Sequence, residues 1–226
     1  EKLERELELA RQIQESMLPR ELPQVAGFDF GAKMIPTRAV GGDFFDFVPI
    51  DDTHIGVAIA DVSDKGVPAA IFMALTRSLL RAEAQRSRSP RRVLQNVNNV
   101  LLEMNDANMF VTVVYGVLDC KTHQFHYARA GHDAPVVFGT GGKLLVPKMK
   151  PSHPLGIFPD MPLDVQGIEI AKGGALILFT DGITEAMNEE SELFSIERLY
   201  EFILKLPRLS AQEICACVID HVISYR

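Results

Sequence analysis

The sequence contains little of three features that would each indicate a particular class of protein. Its three cysteines, at positions 120, 215 and 217, form neither a zinc-type spacing nor the even set expected of a disulfide framework. Its longest apolar run covers residues 175–179, whereas a membrane helix needs about 18 residues. It also lacks an excess of positive charge, because 23 Lys and Arg face 30 Asp and Glu. These shortages argue against a disulfide-rich secreted protein, a membrane protein and a general nucleic-acid binder.

What the sequence does contain is the composition of an ordinary globular protein. Of its 226 residues, 47% are hydrophobic and 23% are charged, so the chain can bury a substantial core. This length suits one large domain, or one domain with a short appendage. No secretory signal opens the sequence. We therefore expect a cytoplasmic protein that neither inserts into membranes nor binds nucleic acid.

Residues 1–22 are predicted to form a helical segment ahead of a domain at 23–226. Proline 19 ends this helix, and proline 23 prevents its resumption. The narrow apolar stripe favours the end of a coiled coil, and a homodimer formed through it. The alternative is a surface helix that packs on its own domain. The stripe recurs every three or four positions, at Leu3, Leu7, Ala10, Ile13 and Met17.

The rest of the chain alternates between groups of strands and pairs of helices. Predicted strands cover residues 28–35, 44–50, 54–61, 110–119, 124–130, 136–138, 144–146, 163–170 and 175–180. Predicted helices cover residues 68–85, 195–206 and 210–224, and another begins at Pro90 behind the N-cap Ser89. Hairpins imply antiparallel neighbours, and consecutive helices exclude a doubly wound layout. The fold class is therefore predicted to be α+β, an antiparallel β-sandwich flanked by pairs of helices in α-β-β-α layers.

Three groups of acidic residues lie beside glycines at the ends of predicted strands. They are centred on Asp43, Asp61 and Asp181. Carboxylates that pack together repel one another unless a cation lies among them, and hard oxygen ligands suit Mg²⁺ or Mn²⁺. Two such ions can activate water and hold a phosphoryl group. The alternative is that each Asp–Gly pair is only a turn.

Six motifs follow one another along the chain: VGGDFFD at 40–46, DVSDKGVPAA at 61–70, FVTVVYGVLD at 110–119, AGHDAP at 130–135, PLG at 154–156 and FTDGITEA at 179–186. In this order they resemble the motifs of the SpoIIE-type serine/threonine phosphatases, the bacterial branch of the metal-dependent protein phosphatase 2C superfamily. The segment RQIQESMLP at 11–19 is also similar to the helix that usually opens this domain.

The resemblance implies a role for each of the acidic groups. Asp61 would bridge two Mn²⁺ or Mg²⁺ ions, with the Val62 carbonyl on the second ion. Asp181 would hold the first ion, and Asp43 would support the second directly or through water. These three aspartates are the expected catalytic residues. Arg38 is a candidate for binding the substrate phosphate, with a solvated surface arginine as the alternative.

The roles expected for other polar residues near these motifs are less specific. Asp46 is expected to be a turn residue or a support for the metal ligands. Asp64 replaces the glycine usual in the family, and His132 is expected to be a structural loop residue. A cluster of arginines is expected to form a solvated face or a docking surface, at positions 77, 81, 86, 88, 91 and 92.

The function implied by the resemblance is hydrolysis of phosphoserine or phosphothreonine on a protein. The expected substrate is a phosphorylated anti-sigma-factor antagonist in a partner-switching pathway, with a sensor or receiver domain upstream. The alternative is a non-catalytic phosphatase-like regulatory module. It is favoured by the expectation that the family's final strand, with an Asp-Asp pair, is missing from the sequence. A diguanylate cyclase is disfavoured because Phe44 stands where that family's signature has an acid.

Overall fold

The computed structural model describes residues 2–36, 38–105, 108–139, 143–148 and 150–226. The chain forms two compact units. The first comprises Glu1–Glu21, Ile35–His132 and Met149–Glu169, and the second comprises Leu22–Met34, Asp133–Lys148 and Ile170–Arg226. The boundary expected at residue 22, between an N-terminal helix and a domain, stays a prediction. None of the described helices has the length and apolar character needed to cross a membrane.

The secondary structure follows the predicted order closely. The described residues contain fourteen elements in this order: α1 (Lys2–Met17), β1 (Phe44–Pro49), β2 (His54–Val62), α2 (Val67–Ala84), α3 (Pro90–Glu103), β3 (Val111–Asp119), β4 (Gln124–Ala130), β5 (Val136–Gly139), β6 (Lys143–Leu145), β7 (Val165–Glu169), β8 (Ala175–Ile177), α4 (Asp181–Thr184), α5 (Ser195–Lys205) and α6 (Ala211–Tyr225).

The first unit is built on a five-stranded antiparallel sheet in the order β1-β2-β3-β4-β7. Alternate residues of β1, β2 and β3 join the residues of α2 and α3 in one hydrophobic core. The two helices also contact each other. The start of α3 is the predicted one, because the Ser89 hydroxyl accepts a hydrogen bond from the backbone of Arg92, with Pro90 as the first helical residue.

A buried ion pair joins β1 to α2. Asp46 is fully buried, and its Oδ1 accepts a hydrogen bond from Arg81 at 2.7 Å. Arg77 Nη2 lies 3.0 Å from Oδ2 of the same carboxylate. Burial lowers the pKa of Arg77, and the charge of Asp46 opposes that shift. The turn expected at Asp46 was therefore wrong, because Asp46 lies within a strand, and Arg77 and Arg81 point at it rather than forming a solvated face.

The second unit contains a three-stranded antiparallel sheet in the order β6-β5-β8. Its own core includes Val136, Phe179, Phe194 and Leu199, which lie in or beside the strands and α5. The last helix begins with a capping box. The Ser210 hydroxyl accepts from the Glu213 backbone, and the Glu213 carboxylate accepts from the Ser210 backbone.

The strand predicted at residues 28–35 is absent from the structure, although this stretch is fully described. Its backbone pairs with helix α6 instead of a strand. Gln212 accepts from the Ala32 N–H and donates to the Ala32 carbonyl, both at 3.1 Å, and Asp29 accepts from the Ala211 N–H at 2.6 Å. The apolar pattern predicted an extended segment but could not reveal that side chains would supply its hydrogen-bond partners. Similarly, β8 ends at Ile177, three residues earlier than predicted.

The predicted fold class is confirmed at the level of each unit. Both sheets are antiparallel, and the helices follow one another in pairs, α2 with α3 and α5 with α6. The protein is therefore an α+β fold rather than a doubly wound one.

Replacing Asp46 by asparagine is expected to lower the free energy of unfolding by about 3 kcal/mol, because Arg77 would remain buried without its counter-charge. Denaturation in urea, followed by circular dichroism, measures this loss. Asp52→Asn, in the exposed turn between β1 and β2, is the control and should change the value by less than about 0.5 kcal/mol. Equal stabilities for the two variants would contradict the importance of the ion pair.

Candidate metal centre

The pairing of β1 with β2 sets the positions of two of the predicted metal ligands. Phe44 is paired with Ala60 in antiparallel register, so continuing the ladder by one residue puts Asp43 opposite Asp61. The next pair would be Gly42 and Val62. A Cβ atom built on Gly42 would lie 2.8 Å from the Val62 carbonyl oxygen, so these backbones do meet. Directly opposed residues place their side chains on the same face, with Cβ atoms about 5 Å apart.

Strand alternation determines which face of the sheet the two aspartates occupy. Phe44, Ala60 and Val62 are buried in the core beneath α2 and α3. Asp43 and Asp61 are one residue out of phase with them, so both project from the opposite face. The side chain of Asp61 is partly buried there. The sheet therefore presents two carboxylates side by side at one strand end.

A threonine that the sequence analysis did not single out lies next in this row. Thr112 of β3 is paired with Asp61, and its hydroxyl donates to the Asp61 carbonyl at 3.4 Å. The hydroxyl oxygen of Thr112 also lies 2.8 Å from Nδ1 of His132, and His132 is buried. The signal in the sequence was a single hydroxyl residue within the otherwise apolar run from Val111 to Val114.

The chain after Asp61 is held in place by hydrogen bonds around Ser63. Its N–H donates to the Phe110 carbonyl, and its hydroxyl accepts from the Phe110 N–H, both at 2.9 Å. Asp64 then takes a left-handed conformation, with φ of 73°, that favours glycine, the residue usual at this place in the family. Gly66, with φ of 81°, precedes α2. This fixed exit holds the Val62 carbonyl beside Gly42.

The two remaining predicted site residues, Arg38 and Asp181, are both exposed. Arg38 is exposed in the first unit, five residues before Asp43. Asp181 belongs to the second unit, where it is exposed and is the first residue of the four-residue helix α4. Its carbonyl accepts from the Glu185 N–H at 2.7 Å. The roles of both residues stay predictions.

The chemistry of the donors in the first unit suits a hard divalent cation. Two carboxylates and one backbone carbonyl, from Asp43, Asp61 and Val62, are oxygen ligands of the kind that Mg²⁺ and Mn²⁺ prefer. The absence of a side chain at Gly42 keeps the space beside that carbonyl open. Within the described part of this unit there is no cluster of three or more His, Cys, Asp or Glu side chains that could hold a metal by itself. Any further ligands must therefore come from water, substrate or other parts of the protein.

Sequence comparisons connect this arrangement to known proteins. The family described as Stage II sporulation protein E (SpoIIE) matches residues 51–226. The phosphoserine phosphatase RsbU of Bacillus subtilis is 31% identical over 223 residues, covering 99% of this chain and 66% of RsbU. The chain spans between about a third and two thirds of the length of the curated relatives it matches.

Solved structures share the fold. The SiaA-PP2C domain of Pseudomonas aeruginosa superposes with a TM-score of 0.80 at 22% identity, covering 99% of this chain and 90% of that domain. RsbX in complex with magnesium gives a TM-score of 0.61 at 19% identity, covering 88% of this chain and 84% of RsbX. These likenesses establish a protein phosphatase 2C fold. The chain belongs to the SpoIIE family, as its ordered motifs predicted.

Proposed function

We propose that this chain is the catalytic domain of a metal-dependent phosphatase that hydrolyses phosphoserine or phosphothreonine on proteins. The observation that carries the proposal is the register of β1 with β2, whose extension by one residue brings Asp43 opposite Asp61 beside the Val62 carbonyl, in a member of the SpoIIE family. The phosphoserine phosphatase activity named for RsbU supports the same reaction here.

In this proposal the protein supplies ligands and the ions supply the chemistry. Asp61 would hold both ions, Asp43 and the Val62 carbonyl would serve the second ion, and Asp181 would serve the first. When bound, Mg²⁺ or Mn²⁺ lowers the pKa of water and neutralises charge on the phosphoryl group. The magnesium in RsbX, a protein of the same fold, supports a divalent ion. Arg38 is proposed to contact the phosphate oxygens, for which a guanidinium is well shaped.

The fixed sheet end explains why these residues suit a metal centre. Ser63 ties the exit of β2 to Phe110, and Thr112 contacts the backbone of Asp61. Ligands on strands that are held by their neighbours lose little freedom when an ion binds. The contact between partly buried Thr112 and buried His132 restrains the same strand end from the β3 side.

The substrate is proposed to be a phosphorylated anti-sigma-factor antagonist, and the setting a cytoplasmic partner-switching pathway. Similarity to RsbU over 99% of the chain supports this proposal. A phosphatase-like module without catalysis is the alternative. It is disfavoured because Asp43, Asp61 and Asp181 are all present.

We expect Asp61→Asn to reduce Mn²⁺-dependent phosphate release from a phosphoserine protein by about 1,000-fold, since metal activation is worth several kcal/mol. Removal of the metal with EDTA should do the same. Asp64→Asn is the matched control, because this exposed carboxylate is three residues away and asparagine tolerates its left-handed backbone. Undiminished turnover by Asp61→Asn would refute the proposed centre.

The contact between Gly42 and Val62 gives a second test. Gly42→Ala would press a methyl group against the Val62 carbonyl and Cβ, at 2.8 and 3.0 Å, and should lower phosphate release roughly tenfold by displacing that ligand. Gly41→Ala adds a methyl group that meets nothing within 4 Å and keeps the same backbone groups, so its phosphate release should stay within about twofold of the parent. Equal losses from both changes would show that any methyl group in this loop is harmful.

We also propose that α1 mediates a homodimer and connects to an upstream sensor or receiver domain. Support comes from the apolar side chains that α1 leaves exposed, namely Leu3, Leu9 and Ile13. Ile13→Glu is expected to shift the sedimentation coefficient toward that of a monomer. Ile223→Glu, at an equally exposed isoleucine of α6, should leave it unchanged. A parent chain that sediments as a monomer at all concentrations would contradict the dimer.

A further inference from the structure

One side chain of α1 pairs with the backbone just ahead of Asp43. Gln14 Nε2 donates to the Gly41 carbonyl at 2.7 Å, and the Gly41 N–H donates to Gln14 Oε1 at 3.0 Å. A primary amide that bonds both backbone groups of one residue reproduces the pairing that a neighbouring strand would provide. The two partners are 27 residues apart in the sequence.

The remainder of α1 contributes little to the buried core. None of its residues is fully buried, and Leu3 and Ile13 are largely exposed. The face that turns toward the domain carries Ala10, Gln14 and Met17, all partly buried. Gln14 is thus a specific polar contact in a helix whose apolar packing is thin, and its two hydrogen bonds are a substantial part of how the helix is attached.

The segment before β1 needs such support. Residues 38–43 belong to neither a helix nor a strand, and the ladder of β1 with β2 fixes only their far end, at Phe44. Val40 is anchored by burial, and Gly42 lies against the Val62 carbonyl. Gly41 lies between these two anchors, and Gln14 fixes its peptide groups. The position of Asp43, two residues later, depends on this short segment.

We propose that Gln14 is a positioning residue for the metal centre. By holding the backbone of Gly41, it fixes the position of Asp43 relative to the cation. The affinity for the cation therefore depends on the docking of α1. The inference rests on the proposed function, because it takes Asp43 as a ligand or as a support for a bound water. It adds a role for a helix otherwise expected only to connect and dimerise.

The test compares Gln14→Ala with Gln12→Ala in the 226-residue chain. Gln12 is an exposed glutamine of the same helix whose amide donates to Glu8 at 3.2 Å, so the two variants lose the same side-chain atoms from the same helix. Binding of Mn²⁺ alone is measured from the electron paramagnetic resonance signal of the free ion. Gln14→Ala is expected to bind Mn²⁺ about 10- to 100-fold more weakly than the parent, the range found when a partner of a metal ligand is removed. Gln12→Ala should match the parent.

Amide hydrogen exchange gives a readout that needs no metal. Loss of the Gln14 acceptor should speed exchange at the Gly41 N–H while leaving the amides of β2 and β3 unchanged. Equal Mn²⁺ affinity in the two glutamine variants would overturn this inference and leave the proposed metal centre standing. Faster exchange throughout the five-stranded sheet would overturn it as well, since the role would then be general stability. A parent chain that binds no Mn²⁺ would overturn the proposed metal centre together with this inference.

Discussion

The antiparallel register between β1 and β2 is the constraint on which the candidate site depends. Asp43 and Asp46 are three residues apart, so strand alternation sends them to opposite faces of the sheet. Asp43 faces the side that Asp61 shares, and Asp46 faces α2 and its two arginines. A slip of one residue would exchange these faces, burying the wrong carboxylate beneath the helices. The proposed metal ligation and the core electrostatics therefore depend on the same strand pairing.

The buried Asp46 carboxylate gives this register its specificity. Hydrophobic residues such as Phe44 and Val48 could pack in a shifted strand at modest cost, but a buried charge must meet its partners. Arg77 and Arg81, one turn apart on α2, reach it together. Because α2 begins five residues after the Val62 carbonyl, this ion pair also ties the helix to the strand that carries the candidate ligands.

Local chemistry made much of this protein predictable from its sequence. The strand from Gln124 to Ala130 and the cap at Ser89 follow from alternation, turn residues and proline placement. The ordered motifs identified the family and pointed to Asp43 and Asp61 as neighbours. Contacts between distant polar residues were not predictable, because no periodic pattern records that Arg77 faces Asp46 or that Gln14 faces Gly41. The false strand at 28–35 has the same origin, since side chains of α6 took the place of a neighbouring strand.

That unusual pairing also bears on association between copies of the chain. An extended segment with free backbone groups is a template on which another molecule can add a strand. At Ala32 both groups are already bonded to Gln212, and a Cβ built on Gly31 would overlap the Ala211 backbone at 2.3 Å. The helix therefore occupies the edge that an incoming strand would need. The Gln212 amide thus uses the backbone groups of Ala32 that an added strand would bond, whereas other proteins block such pairing with charges or prolines.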